Sequence, residues 1–180
     1  MKNILYLSAI ALLAVSTTAC NDNKRAKNFN EKTLVDDQAL GFIKEAHEAG
    51  MTEVKVATVA QGKSQNQRVL NFAKMMITDH STMDKEIVKL ADAKYVNLKA
   101  ATDTLNPDHQ MMITNMAKLS GPAFDKAYMK MMIEDHSKVI DKFKDVTNNT
   151  NLAVNKLATK NLPKLFAHLD SAKAINASLK

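Results

Sequence analysis

The sequence has a single cysteine, no tryptophan, four glycines and three prolines among its 180 residues. One cysteine excludes an internal disulfide, so the fold must depend on its core. The few glycines form no glycine-rich phosphate loop, and neither a Gly-x-Ser-x-Gly nor a Cys-x-x-Cys-His motif is present. No segment alternates apolar and polar residues for long, which argues against a β-sheet. The sequence therefore predicts one α-helical domain without a recognisable hydrolase, nucleotide-binding or haem motif.

Charge and aromatic content restrict the partners. The net charge is +6, but the basic residues are scattered along the chain, with only three tyrosines and six phenylalanines between them. A nucleic-acid surface normally shows a basic stripe. We predict no nucleic-acid partner, and a solvated charged surface that faces an anionic membrane.

The N-terminus has the pattern of an export signal. Lys2 precedes an apolar run over residues 4–15, and small residues follow up to Cys20. The run is too short to span a membrane as a helix. The small residues resemble a bacterial lipoprotein cleavage box, with Thr17 where such boxes usually carry leucine. We predict a signal peptide at residues 1–20, acylation of Cys20 as a membrane anchor, a flexible tether at residues 21–33 and a domain at residues 34–180.

One ten-residue stretch occurs twice. Residues 72–81 return as residues 128–137 with seven of ten positions identical, and both copies end in Asp-His-Ser. The offset of 56 residues is a whole number of heptads, so His80 and His136 fall on the same stripe of their helices. A histidine at the centre of each apolar stripe is therefore the feature to explain.

The helical period extends through most of the chain. It predicts long helices over residues 34–61, 64–96, 123–146 and 152–179, and a short helix over residues 107–119. Pro163 should kink or break the last helix near Asn161. The predicted fold is an all-α, ferritin-like four-helix bundle with a long crossover that carries a short extra helix.

Each long helix places one metal-ligating side chain on its inward stripe: Glu53, His80, His136 and His168. Three imidazoles and one carboxylate suit a transition-metal ion such as zinc, iron or copper. The alternative is a metal-free polar cluster, in which the histidines hydrogen-bond to each other and to Glu53 within a structural or interaction module of the cell envelope.

Two aspartates directly precede the repeated histidines. Asp79 and Asp135 should point about 100° away from them, toward helix flanks. There they could hold the second nitrogen of a histidine on a neighbouring helix, as metal-bound imidazoles usually require. Pairing with a surface lysine or arginine is the alternative.

Catalysis by a di-iron carboxylate site is disfavoured. That chemistry requires Glu-x-x-His on two helices, but Ile77, Ile133 and Leu165 stand three residues before the inward histidines. Since Cys20 belongs to the processing site, the domain also has no thiol nucleophile. The sequence favours a metal-binding protein over an enzyme, and a redox enzyme that uses an open coordination position ranks third.

Three methionines and two further histidines could be metal ligands or ordinary structural residues. Met76 and Met132 lie four residues before the repeated histidines and Met83 three residues after His80. They could bind cuprous copper with the histidines, although methionine is also an ordinary core residue. His47 lies off the inward stripe and His109 in the crossover, and we predict both at the surface.

These residues also resemble a known family. The chain is similar, over roughly residues 37–176, to the bacterial family of exported ferritin-like domains numbered 4142 among domains of unknown function, whose members are often labelled outer-membrane proteins. The matching elements are Phe42-x-x-x-Ala46, Gly50-x-x-Glu53, Phe72-Ala73-x-x-Met76-x-x-Asp79-His80-Ser81, Leu119-Ser120-Gly121, Phe124-Asp125-x-x-Tyr128, Asp135-His136 and Leu162-Pro163-x-x-x-x-His168-Leu169. Met51 stands where leucine is common. The resemblance implies a helical bundle in the cell envelope, with Glu53, His80, His136 and His168 at the family's motif positions and with no established activity. We expect the membrane-anchored domain to face the periplasm.

Overall fold

The structure, a computed structural model, describes residues 33–98 and 105–179 of the chain. These residues form five α-helices and no strand: α1 Asp37–Lys63, α2 Gln67–Ala93, α3 Pro107–Ala117, α4 Gly121–Asp145 and α5 Leu152–Ser178. The all-α fold, with a short helix in the connection between α2 and α4, is thereby confirmed. Within the described ranges, no helix is both long and apolar enough to span a membrane. The predicted signal peptide, Cys20 and nearly all of the tether lie outside the described residues.

Short polar side chains begin most of the helices. The Asp36 carboxylate accepts a hydrogen bond of 2.8 Å from the backbone N–H of Ala39. Asparagines cap three further helices in the same way, at Asn66, Asn106 and Asn151. Each cap satisfies an N–H group that has no partner within its helix. Helix α4 begins instead at Gly121, whose φ of +55° favours glycine, and Pro122 follows in the first turn.

The four long helices form a ring. Helix α1 packs on α2, α4 on α5, α1 on α4 and α2 on α5, which leaves α2 and α4 diagonally opposite. The start of α1 lies beside the end of α2, where the Leu34 N–H donates to the Lys94 carbonyl (3.0 Å). It also lies beside the end of α4, where Gln38 donates to the Asp145 carbonyl (3.0 Å). We call this the lower end of the bundle. Helices α2 and α4 therefore run parallel, and their repeated histidines face one central axis.

The apolar core has two parts. The lower part includes the Phe42 and Phe143 rings, which meet edge to face at 4.9 Å. The upper part includes Phe124 and Tyr128, whose rings stack at 5.6 Å. Between them, at mid-helix, lies a polar layer formed by the four inward residues: Glu53, His80, His136 and His168.

The predicted break of the last helix near Asn161 does not occur, and the alternative of a kink there stays a prediction. Helix α5 continues through Pro163, although proline removes one helical N–H donor. Leu157 and Leu165 on either side are buried in the core. The Asn161 amide also donates 2.9 Å to the Leu157 carbonyl. Packing of both halves against the neighbouring helices outweighs the lost hydrogen bond.

The predicted surface position of His47 is also wrong. His47 is 2% exposed, and its Nδ1 lies 2.5 Å from Asp84 Oδ1 on α2. The neighbouring helix supplies a carboxylate that makes burial of the imidazole favourable, which the stripe of α1 alone could not reveal. His109 keeps a partly exposed side chain whose Nδ1 lies 3.1 Å from Glu48.

Candidate metal centre

The four helices bring their inward polar residues into one buried layer. Glu53, His80, His136 and His168 are 2, 2, 0 and 1% exposed, respectively. They are buried because each helix packs its apolar stripe against the other helices, and the residue at the centre of the stripe is buried together with its apolar neighbours. Buried ionisable groups are rare without a partner. The layer therefore has to satisfy its polar atoms internally or with a bound ion.

Three ring nitrogens converge in this layer. His80, His136 and His168 each offer one nitrogen, and these atoms lie within 4.8 Å of one another. His136 Nε2 and His168 Nδ1 are 3.3 Å apart. Two nitrogens each about 2.0–2.1 Å from a tetrahedral metal ion are themselves separated by about 3.3–3.4 Å. The three buried histidines could therefore hold a metal ion.

The outer nitrogens of two histidines are fixed by acceptors. His136 Nδ1 lies 2.9 Å from the Met132 carbonyl, and His168 Nε2 lies 2.9 Å from Asp79 Oδ2. A carbonyl and a carboxylate can only accept, so both outer nitrogens carry the N–H. In the neutral rings, each of the two inner nitrogens then carries a lone pair instead of a hydrogen. The two lone pairs face each other, and no hydrogen bond joins the nitrogens. A cation between them would satisfy both.

Glu53 lies against the rings of two histidines. Its Oε2 is 2.8 Å from His80 Nδ1 and its Oε1 is 3.3 Å from His136 Nδ1, which are ion-pair distances. The contact with His136 is not a hydrogen bond, since the His136 N–H is directed at the Met132 carbonyl. His80 Nε2 is likewise buried without a hydrogen-bond partner. Buried polar atoms without a hydrogen bond are costly, and both Glu53 oxygens and His80 Nε2 are of this kind.

The electrostatics divide the layer into charged and neutral groups. Burial would raise the pKa of Glu53, but the interactions with His80 and His136 outweigh it and lower the pKa to about 2. Burial lowers the pKa of His80, whereas the Glu53 carboxylate more than compensates and raises it above its ordinary value. Burial lowers the pKa of His136, and that of His168 to about 4. His136 and His168 are thus neutral near pH 7, as metal ligands must be.

The two motif aspartates differ in position. Asp79 accepts from His168 and also pairs with Lys164 Nζ at 2.8 Å, so both roles considered for it occur together. Asp135 makes no hydrogen bond with the cluster within the described ranges. It lines a surface groove, where burial and then the charge of Glu53 raise its pKa to about 6. Cys20 lies outside the described residues.

Two groups near the site, the Lys164 ammonium and the Met132 carbonyl, were not predicted from the sequence. Lys164 precedes His168 by four residues, one helical turn, so its position on the same face of the helix could have been read from the spacing. The Met132 carbonyl also lies one turn before its histidine, where helix geometry always puts a backbone acceptor. The side chains of Met76 and Met132 are buried in the upper core and that of Met83 in the lower core.

Comparisons with known proteins agree with this fold. A family model described as a domain of unknown function, DUF4142, matches residues 24–175. No curated protein matches the chain. A DUF305 fragment from Deinococcus radiodurans, known from a crystal structure, superposes with a TM-score of 0.70. The match covers 81% of this chain and 99% of the fragment at 12% identity, so it concerns the fold alone.

Proposed function

Since the chain belongs to the DUF4142 family, whose description gives no activity, we propose from its own residues that it binds one transition-metal ion through His80, His136 and His168. Glu53 is the fourth group of the site and supplies the negative charge beside the ion. The ligand set suits zinc, iron or copper.

One observation carries this proposal: the inner nitrogens of His136 and His168 face each other at 3.3 Å while acceptors hold both outer N–H groups. Imidazoles that ligate a metal usually donate their other N–H to a carboxylate or a backbone carbonyl. Both kinds of acceptor are present here. The unpaired atoms of Glu53 and His80 favour the same cation.

We further propose that acylated Cys20 tethers the bundle to a membrane of the cell envelope, with the domain facing the periplasm. Its role there is metal binding or protection of the cell envelope against stress, rather than turnover. Four buried groups on four helices suit retention of an ion, because they exclude solvent from its surroundings. The ion itself would supply charge that holds the four helices together.

A second candidate is a metal-free polar cluster in a structural or interaction module. The contact of 2.8 Å between Glu53 and His80 favours it, because a protonated His80 would neutralise the buried carboxylate without any ion. In that case the layer contributes to the specificity of helix packing and the function lies with a protein partner.

Elemental mass spectrometry of the mature chain, purified from residue 21 without affinity metals, distinguishes the two candidates. We expect about one ion per chain, and its loss in a His80→Ala, His136→Ala double variant. The matched control is His47→Ala, His109→Ala, which removes two histidines outside the cluster and should retain the ion. No ion in the unmodified protein, even after incubation with zinc, iron or copper, would leave only the metal-free cluster.

A further inference from the structure

A groove on the bundle surface reaches the buried layer. It lies between α1 and α4, beside Asn106 and His109 at the start of α3, and has a volume of about 270 Å³. Glu53 is among its lining residues although it is 2% exposed. Its carboxylate is buried behind this lining, against the rings of His80 and His136, and makes no hydrogen bond. The volume is sufficient for several water molecules or a hydrated ion.

The charges along this groove favour a cation. Glu48 and Asp135 line it together with Glu53, and Glu45 lies there in a salt bridge with Lys142. Lys138 is the remaining basic residue of the lining, so carboxylates are in excess. A cleft lined mainly by one sign of charge concentrates ions of the opposite sign. The Glu48 carboxylate is held in place by the Asn106 N–H at 2.9 Å and by His109 at 3.1 Å.

The opposite flank of the layer is less favourable to a cation. Between α2 and α5, Asp79 covers the outer edge of His168 and is itself paired with Lys164. Lys160 pairs with Glu86 on the same pair of helices. Asp79 and Glu86 are each paired with a lysine, so neither offers an approaching cation an uncompensated charge.

We propose that the groove between α1 and α4 admits a hydrated divalent cation to the buried site, with Glu48 and Asp135 as successive carboxylate contacts on the way to Glu53. This inference rests on the proposed metal-binding function and names the route by which the ion reaches the site. The groove then governs the rates of uptake and release, while the histidines govern the affinity.

The test measures Zn²⁺ uptake by the metal-free mature chain, with bound zinc determined by elemental mass spectrometry after rapid desalting at successive times. A Glu48→Gln, Asp135→Asn variant should load about tenfold more slowly, because local charge sets the association rate. An Ala49→Leu variant, which narrows the groove without a change of charge, should slow both uptake and removal by a chelator. The matched control, Glu86→Gln, Asp170→Asn, makes the same change in net charge on α2 and α5 and should load at the unmodified rate.

Equal final zinc contents with slower loading in the groove variants alone would support the path. Unchanged rates in both groove variants would overturn it and leave the metal site intact. If the unmodified protein takes up no zinc, iron or copper at equilibrium, the proposed function fails and the path fails with it.

A different observation concerns the lower end of the bundle, where three large apolar side chains are exposed together. Leu34, Tyr95 and Leu152 are 55, 68 and 62% exposed. The Leu34 N–H donates to the carbonyl of Lys94, the neighbour of Tyr95. Its own carbonyl accepts 3.1 Å from Asn151, the neighbour of Leu152. These two hydrogen bonds bring Leu34 close to the residues beside Tyr95 and Leu152, so the three exposed side chains lie at the same end of the bundle, and we call them the patch.

Two features indicate what this patch contacts. Lys94 and Lys156 lie beside Leu152, so cations border the apolar residues. Residues 33 and 34 also lie at this end, and the sequence that precedes them carries the apolar run of residues 4–15 and Cys20. Tyrosine and lysine are suited to a lipid–water boundary, because each combines an apolar body with a polar tip. Asp37 and Asp92 lie on adjacent helical turns and reduce the attraction between the lysines and an anionic lipid surface. Apolar contact therefore contributes most of the binding energy.

From these features we infer that the patch rests on the surface of an anionic lipid bilayer. Because the chain has no tryptophan, Tyr95→Trp creates a single fluorescent reporter, and Met111→Trp on α3 provides an exposed control. The mature chain, acylated at Cys20, would be reconstituted in phosphatidylethanolamine–phosphatidylglycerol vesicles with and without brominated acyl chains. We expect a blue shift and bromine quenching, at least twofold, at position 95 but not at position 111.

Absence of quenching at position 95, in protein that sediments with the vesicles, would overturn the contact while retaining the anchor. A blue shift at position 95 already present without vesicles would also overturn it, since another part of the chain would then cover the patch.

Discussion

Zinc added to the metal-free mature chain is expected to raise its melting temperature by about 10 °C. The ligands come from α2, α4 and α5, which are assembled only in the folded state, so the ion binds the folded protein far more tightly than the unfolded chain. At a free concentration about 1,000 times the dissociation constant, such binding stabilises the fold by about 4 kcal/mol. For a domain of this size, each kcal/mol shifts the melting temperature by about 2–4 °C.

The measurement is a thermal melt followed by circular dichroism, with zinc, with a chelator, and with iron or copper in parallel. The His80→Ala, His136→Ala variant should melt at one temperature under all these conditions. A melting temperature of the unmodified protein that none of the ions changes would contradict the metal site and favour the Glu53–His80 ion pair as the native state of the layer.

Replacing Asp79 with alanine is expected to weaken metal binding by about 10–100-fold, the usual effect of losing an acceptor behind a ligating histidine. Asp79 holds the His168 N–H at 2.9 Å and so directs the other ring nitrogen inward. Its pKa lies below the ordinary value, because its hydrogen bonds with Lys164 and His168 outweigh the effect of burial, so the carboxylate is charged at neutral pH. Without it, His168 can rotate or change tautomer.

Competition with a chromophoric chelator measures this dissociation constant. The chain provides a matched control in Asp84→Ala, which removes the carboxylate of the other buried histidine–aspartate pair, His47–Asp84. That variant should lose stability but bind metal as the unmodified protein does. Equal weakening by both substitutions would mean that affinity follows general stability rather than the orientation of His168.

The repeated Asp-His-Ser motif shows the limit of sequence reasoning about the site. Its two aspartates occupy equivalent positions on equivalent helices, and the sequence assigned them equivalent roles. In the fold, α2 lies beside α5, so Asp79 meets His168 and Lys164. Helix α4 presents Asp135 to the groove along α1 instead. Identical local sequence thus meets different neighbours, and no local pattern contains that difference.

The helical period by itself determined that this protein is an all-α bundle and that Glu53, His80, His136 and His168 lie on inward stripes. Periodicity is a local property, and burial of an apolar stripe follows directly from it. Only the tertiary structure decided that the four residues share one level, that α2 and α4 run parallel, that α5 passes through Pro163 and that His47 is buried against Asp84. These features depend on helix direction, register and contacts between distant residues, which the spacing within any one helix does not specify.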